Sequence, residues 1–468
     1  MTASELAPKP LAPKPFAYKP LAYKPPSRAH LLAQWTRVLS LLLFLSSAAA
    51  MIVELASRPA LMRWFSGDAE LTILALGLGL GCLIGALSRP RSSPLPLFAA
   101  LATINGACGY LSLTAEKPSP ALAVAPAFVC AMLIGVMVPV ALGHLIRRTG
   151  GVGRSFGDSL SVVMLGLAVA CLLSIAVLIP FFGERDALRV AIALDAAVVV
   201  LALVARWREQ DLPVLNDGPV FQRQPIIGFM ASLWLAAGAG VLAMSYMLFF
   251  AQAVAYAAAP SEATFAATLA AFLLGLAAGA HRAGRHCALF SAEEVMRRAA
   301  RGAMAANFVG LSTLPLLGQL AWLDHAVIIV AMLLCFVAAR ALGALLPYLA
   351  EFSITADARA KWRSTLLCLA HGAGAAAAAW LTGRVLMDGL GLVALGATLV
   401  IAGILYTLLL VALLDLPRWQ KIVRGMTAVA VAILALAVLP RWSADVVERL
   451  QWKAAADGAP LVNHDRRS

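Results

Sequence analysis

The chain has 468 residues, of which 62% are hydrophobic and 13% charged, and its formal net charge is +13. A soluble domain carries about a quarter charged residues, so a soluble enzyme of two or three domains is excluded. The basic surplus is topological, as its distribution shows, and does not indicate a nucleic-acid partner.

Residues 1–37 form a tail in which Ala-(Pro/Tyr)-Lys-Pro occurs at 7–10, 12–15, 17–20 and 22–25. Proline at this density forbids a helix and favours an extended, polyproline-like chain. No apolar core and cleavage site mark it as a signal peptide. The expectation is a disordered basic cytoplasmic tail that touches anionic lipid or docks a protein partner. Residues 38–206 hold six apolar runs, at 38–57, 70–88, 95–113, 121–146, 158–181 and 187–205. Each is long enough to cross a hydrocarbon core, where the backbone must satisfy its own hydrogen bonds as a helix. A polar cytoplasmic linker, 207–226, carries Pro213, Asn216, Asp217, Gly218 and Pro219. Residues 227–416 hold six more runs, at 227–257, 262–280, 302–322, 325–349, 364–385 and 390–415. The last unit, 417–468, is a short apolar helix and a polar tail; its run 425–440 is either a thirteenth span or a helix lying at the interface.

With the N-terminus inside, 25 of the 37 Lys and Arg fall on the cytoplasmic side and six in the periplasmic loops between spans. No loop contradicts that orientation, which places the chain in a bacterial inner membrane. Cys82, Cys108, Cys130, Cys171, Cys335 and Cys368 lie inside apolar spans, and Cys287 lies in a cytoplasmic loop. With no CxxC pair they are expected to pack as small hydrophobes, with neither disulfides nor a structural metal. No cofactor is expected.

The two six-helix units are related. Gly135-Val-Met-Val-Pro139 matches Gly343-Ala-Leu-Leu-Pro347 at an offset of 208, which also carries Gly166 onto Gly374 and Gly183 onto Gly391. Gly81 and Gly85 pair with Gly275 and Gly279 as GxxxG motifs, each followed by a basic turn, and Asn105 pairs with Asn307. The GxxxG pairs are expected to let helices approach closely, and the Gly–Pro pairs to kink their helices as packing elements or hinges. Six spans per copy is even, so both copies face the same way, which resembles the plan of the major facilitator halves. The fold class is thus an all-α integral membrane protein of 12–13 transmembrane helices, two parallel six-helix repeats in an MFS-like bundle.

Over residues 38–416 the chain resembles the membrane part of the spermidine-synthase-like membrane proteins, the fused MFS/spermidine synthase family. The resemblance rests on Ser46-Ser-Ala-Ala-Ala-Met-Ile-Val-Glu54 followed by Arg58 and Arg63, and on Ala270-Ala-Phe-Leu-Leu-Gly275-Leu-Ala-Ala-Gly279. Gly153-Arg154-Ser155, Gly166 and the closing Pro180-Phe-Phe-Gly183 add to it. The resemblance implies a glutamate–arginine pair closing the first span. It also implies a soluble aminopropyltransferase-like domain after the helices, for which Arg441 to Ser468 leave no room. Aminopropyl transfer by this chain is therefore not expected. Where the glutamate would recur, the second copy has Ser245-Tyr246-Met-Leu-Phe-Phe250, so the halves have diverged.

Ionisable groups inside spans cost about 2.5–3.5 kcal/mol each at the helix centre and are functional candidates for that reason. Glu54, with Arg58 one turn on, reads either as an interfacial ion pair or as a proton- or cation-binding carboxylate at a cavity mouth. Arg340, near the centre of its span, either lines a central cavity or pairs with Asp195 or Glu54. His371 in His371-Gly-Ala-Gly374 is either a hydrogen-bonded core residue or a titrating one. Asn105 and Asn307 read as interhelical hydrogen bonds or as ligands. His281, His286 and Cys287 have the makings of a metal set, but the arginines around them favour a topogenic basic loop, and no metal site is assigned.

Two functions follow. One is a secondary transporter or exporter of a small organic solute, anionic or zwitterionic given Arg340, and proton-coupled through Glu54, Asp195 or His371. The other is a non-transporting scaffold that docks a separately encoded synthase or an envelope partner at its cytoplasmic face. Besides the lipid bilayer, the partners implied are that solute or that soluble protein. No cluster of catalytic residues at one depth argues for an enzyme.

Overall fold

The computed structural model describes residues 26–443, apart from 66, 89–92, 116–118, 210–224, 258–261, 321–325, 358 and 414–416. The Lys-Pro repeats, most of the linker, Arg89 and Arg91 of the first basic turn, and the tail from 444 lie outside the described residues. The first unit is α1 (Pro26–Met62), α2 (Gly67–Leu87), α3 (Leu95–Thr114), α4 (Pro120–Thr149), α5 (Val152–Leu173) and α6 (Gly183–Glu209). The second is α7 (Phe229–Ala257), α8 (Glu262–Leu289), α9 (Ala292–Gln319), α10 (Ala326–Gly343), α11 (Leu345–Ser353), α12 (Ala360–Trp380), the one-turn α13 (Met387–Gly389) and α14 (Leu392–Leu413). A last helix, α15 (Arg418–Ser443), packs on α14 and α9. The described residues contain no strand.

The outer surface is that of a protein solvated by lipid. Leu76, Ile329 and Leu405 are each more than 60% exposed, a cost in water but not in hydrocarbon. Exposed aromatics gather toward the two ends of the bundle: Trp207, Trp234, Trp362 and Trp419 at the end carrying the basic turns, and Trp64, Tyr110, Phe181, Phe182 and Trp380 toward the other. Amphipathic rings at two levels are the signature of two membrane–water interfaces. Among the described residues nine helical stretches are long and apolar enough to cross a membrane; one of them, Val152–Trp207, contains two helices, α5 and α6, which meet where Gly183 has φ +81°.

The ends of the helices follow local chemistry. Ser119 caps α4 by accepting the Leu122 N–H, Pro120 opens the helix, and Gly150 at φ 70° closes it. Ser291 caps α9 in the same way, with Glu293 and Glu294 in the first turn. At the far end α5 runs on into a wide π-helical stretch, Ser174–Phe182, around Pro180, and α12 runs into another, Leu381–Leu386. The 208-residue offset superposes these two stretches, so each unit widens the same helix end.

Within each unit, α2 packs on α4 and α8 on α10, while α3 packs on α6 and α9 on α14. The two units meet chiefly where α5 packs on α8 and α2 on α12. The contacts keep α2 equivalent to α8 but shift the register of their glycines by one turn. A methyl group on Gly81 would overlap the Met132 carbonyl oxygen, and one on Gly279 would overlap that of Arg340. Gly77 and Gly275 stand in the same relation to the carbonyls of Phe128 and Phe336. Since both carbonyl pairs are 208 residues apart, Gly77 and Gly81 correspond to Gly275 and Gly279, one turn away from the pairing of Gly81/Gly85 with Gly275/Gly279. Gly85 still approaches Val136 closely, so three glycines space one face of α2, and a motif of two could be laid on them in either register.

The Gly–Pro pairs differ between the two copies. Pro139 sits within an unbroken α4, whereas the second copy is interrupted at Ala344, three residues before Pro347. Gly135 and Gly343 both press against α2 and α8 backbone, at Leu78 and Leu276, so the close packing is shared and the break is not.

Candidate functional site

Glu54 lies two turns before the end of α1, and the expected ion pair with Arg58 does not form. The Arg58 Nε–H instead reaches both carboxylate oxygens of Glu70 on α2, at 3.0 and 3.2 Å. The guanidinium lies 5.5 Å from the centre of the Phe265 ring on α8, which brings this corner of the first unit against the second. Glu70 is buried, and its carboxylate can compensate Arg58 at a depth where neither charge is tolerated alone. Glu54 is left over. It lies within electrostatic reach of Glu70, Arg58, Cys130 and Cys171, and its carboxylate has no hydrogen bond or ion pair among the described residues. It keeps some accessible surface. A carboxylate so placed can hold a proton or a cation.

Asp195 is the other acid near Cys130. It is 2% exposed, and its Oδ2 accepts the Asn105 amide at 2.8 Å, while Asn105 Oδ1 accepts the Cys130 thiol at 3.2 Å. Its other oxygen, Oδ1, is buried without a hydrogen bond. In the second unit Asn307 donates to Thr407 at 3.0 Å, and Thr407 donates in turn to the Gly403 carbonyl at 2.8 Å. The repeated asparagines thus tie α3 to α6 and α9 to α14, each inside one unit.

Arg340 pairs with neither of its two expected partners. Asp195 is bonded within the first unit, and no bond joins Arg340 to Glu54. The residue is half-buried on α10, has no hydrogen bond or ion pair among the described residues, and sets its backbone against Gly279. His371 Nδ1 lies 3.2 Å from the Ala236 carbonyl, so the ring ties α12 to α7. Glu54 and Asp195 thus flank Cys130, Arg340 and His371 lie in separate settings, and no bond joins any two of the four.

Sequence reasoning missed the contacts that close the two units together at the basic end. Glu351 on α11 accepts the Gly153 N–H in the first turn of α5, at 2.8 Å. Across the other seam the Lys361 ammonium on α12 donates to the Ser88 carbonyl at the end of α2, and to its hydroxyl at 3.0 Å. These are the same two repeat positions. Residues 143 and 351 are 208 apart, as are 153 and 361, and each time a glycine faces a charged residue: Gly143 against Lys361, Gly153 against Glu351. The signal was present as the offset. Glu351 and Lys361 lie at the ends of apolar runs, where spacing along the chain names no partner.

The remaining polar features are local. A cleft of about 190 Å³ at the end away from the basic turns, lined by Ser57, Arg63, Ser112, Glu184 and Arg185 among others, opens within the first unit and not between the units. His286 is bonded to the Tyr348 hydroxyl at 2.7 Å and to Arg298 at 3.0 Å. Among the described residues no group of three His, Cys, Asp or Glu could hold a metal ion.

No family model and no curated protein matches the chain. Solved structures do. The Escherichia coli fucose:proton symporter FucP, in a single-substitution variant, is 13% identical, with a TM-score of 0.58 over 81% of this chain and 98% of that one. The structure of FucP described as a major facilitator superfamily transporter in the outward conformation is 12% identical, with a TM-score of 0.59 over 81% and 99%. At that identity the likeness speaks for the fold. The chain folds as a multi-pass membrane protein, an all-α bundle of the major facilitator type.

Proposed function

We propose that this protein is a secondary transporter or exporter of a small organic solute, working in a bacterial inner membrane with its N-terminus and basic end in the cytoplasm. The observation that carries the reading is Glu54, an unpaired carboxylate inside a two-unit bundle beside the Arg58–Glu70 pair at the boundary with α8. Fixed charge without a partner in a bilayer is costly and persists where an ion or substrate uses it. Arg340, unpaired on the opposite unit, supports an anionic or zwitterionic solute. The FucP structure is of a proton symporter, and proton coupling through Glu54 is proposed here on that analogy. The resemblance to the spermidine-synthase-like membrane proteins belongs to the same proposal, supported by Ser46–Glu54. So does a thirteenth span at α15, which lies against α14 over the level of Leu408 and Gly425.

The test is proton movement in proteoliposomes that enclose a pH-sensitive dye, on addition of a panel of small carboxylates, amino acids and sugars. A transported solute is expected to move protons with the wild type, at least about tenfold less with Glu54→Gln, and to lose flux with Arg340→Ala while both variants stay folded. If flux is unchanged in both variants, the site assignment fails. If no solute moves and a soluble protein co-purifies with the intact chain, the scaffold reading replaces it.

A further inference from the structure

Arginine outnumbers carboxylate where the first turns of α9 meet α15 at the basic end. The two glutamates of α9 are shared among three arginines. Arg297 lies 3.4 Å from both Glu293 and Glu294, Arg298 lies 2.9 Å from Glu294, and Arg301 lies 3.2 Å from it. α15 packs against this helix and adds Arg424, whose charged neighbours are Arg301 and Arg297. Its one side-chain bond is a long one to Gln420, at 3.5 Å. Arg424 Nη1 is buried without a hydrogen bond, and Arg297 Nε, also buried, has the 3.4 Å ion contact with Glu294 and no hydrogen bond. Four arginines against two glutamates, with a buried donor unmet on Arg424, leave positive charge that a bound anion would offset.

The surroundings say what kind of anion fits. On α15, Ile422, Val423 and Met426 are all more than half exposed on either side of Arg424. Below the arginines, Leu405 and Leu409 of α14 and Val429 and Ile433 of α15 are exposed, while Leu311 of α9, Ile404 of α14 and Ala428 of α15 are packed and buried between the helices. The ligand therefore meets planar cations at the level of the interface and hydrocarbon beneath them, which fits an amphiphile better than a free ion. Guanidinium groups suit a phosphate because their paired donors match its oxygens, and basic pockets between helices at an interface are places where acidic headgroups bind.

We propose that Arg297, Arg301 and Arg424 form a headgroup site for an anionic phospholipid, with its phosphate between α9 and α15 and its acyl chains along the exposed apolar face of α15. The experiment is native mass spectrometry and thermal melting of the purified full chain in neutral detergent, with phosphatidylglycerol or phosphatidylcholine added in equal amounts. The wild type is expected to retain phosphatidylglycerol and melt several degrees higher with it than with phosphatidylcholine. Arg424→Gln should lose most of both effects, and Arg189→Gln, an arginine far from α9 and α15, neither. Should Arg424→Gln fail to fold, Arg301→Gln, whose side chain is 64% exposed, should reduce retention severalfold. Equal response to the two lipids, full retention in Arg424→Gln and Arg301→Gln, or the same melting shift from inorganic phosphate alone would each overturn the assignment.

Discussion

Arg58 had two carboxylates within reach and took the one on the neighbouring helix. The choice separates two kinds of acid inside the bundle among the described residues, those that close a bond between helices, such as Glu70 and Asp195, and Glu54, which does not. Asp195 belongs to the first kind. Asn105→Ala removes the donor to Asp195 and the acceptor for Cys130, and is expected to destabilise the chain by about 1–3 kcal/mol, read as a lower melting temperature in detergent. Asp195→Asn keeps an acceptor for Asn105 and should melt close to wild type. Loss of proton-coupled flux in an Asp195→Asn variant that melts normally would show that the carboxylate carries protons and is not merely structural. Glu54 was legible as a candidate because a charge in an apolar run stands out. Its true neighbour was not, because sequence shows spacing along one helix, and the Arg58–Glu70 pair crosses to the next one.

The elements were legible from apolar runs alone, since in lipid a run of that length has no alternative to a helix. Their registers were not. GxxxG on α2 fits Gly77/Gly81 as well as Gly81/Gly85, and only the carbonyls of Phe128 and Met132 decide between them. The consequence is a contrast within one helix. A methyl on Gly81 overlaps the Met132 backbone, whereas one on Gly79 meets nothing within 4 Å. Gly81→Ala should therefore cost about 1–3 kcal/mol by forcing α2 from α4, and Gly79→Ala should be neutral, as melting temperature and expression level will show. The π-helical ends of α5 and α12 were also hidden, because Pro180 marks the first and no proline marks the second. Extra width in a helix is a matter of backbone hydrogen bonding that residue type only partly dictates.

Across the whole molecule the two units close at the basic end through Glu351 and Lys361, one bonded to a helix N-terminus and the other to a helix C-terminus. Each charge meets the end of the helix macrodipole that attracts it. Glu351→Gln should weaken this seam. Cys287, which lies beside Gly153 and is buried, is then expected to react with a water-soluble maleimide severalfold faster than in the wild type. An unchanged rate would show that Glu351 does not hold the units together. By itself the sequence determined that the chain is a membrane protein, which end is basic, where its helices run and that it is built from two related units, because length, apolarity and internal repetition are properties of a linear string. Only the tertiary structure decided which acid Arg58 takes, that Asp195 is bound within one unit while Arg340 has no partner among the described residues, and where the units touch. Those outcomes depend on distances between helices, and in a bundle where nearly every surface is apolar, hydrophobic pattern does not distinguish one neighbour from another.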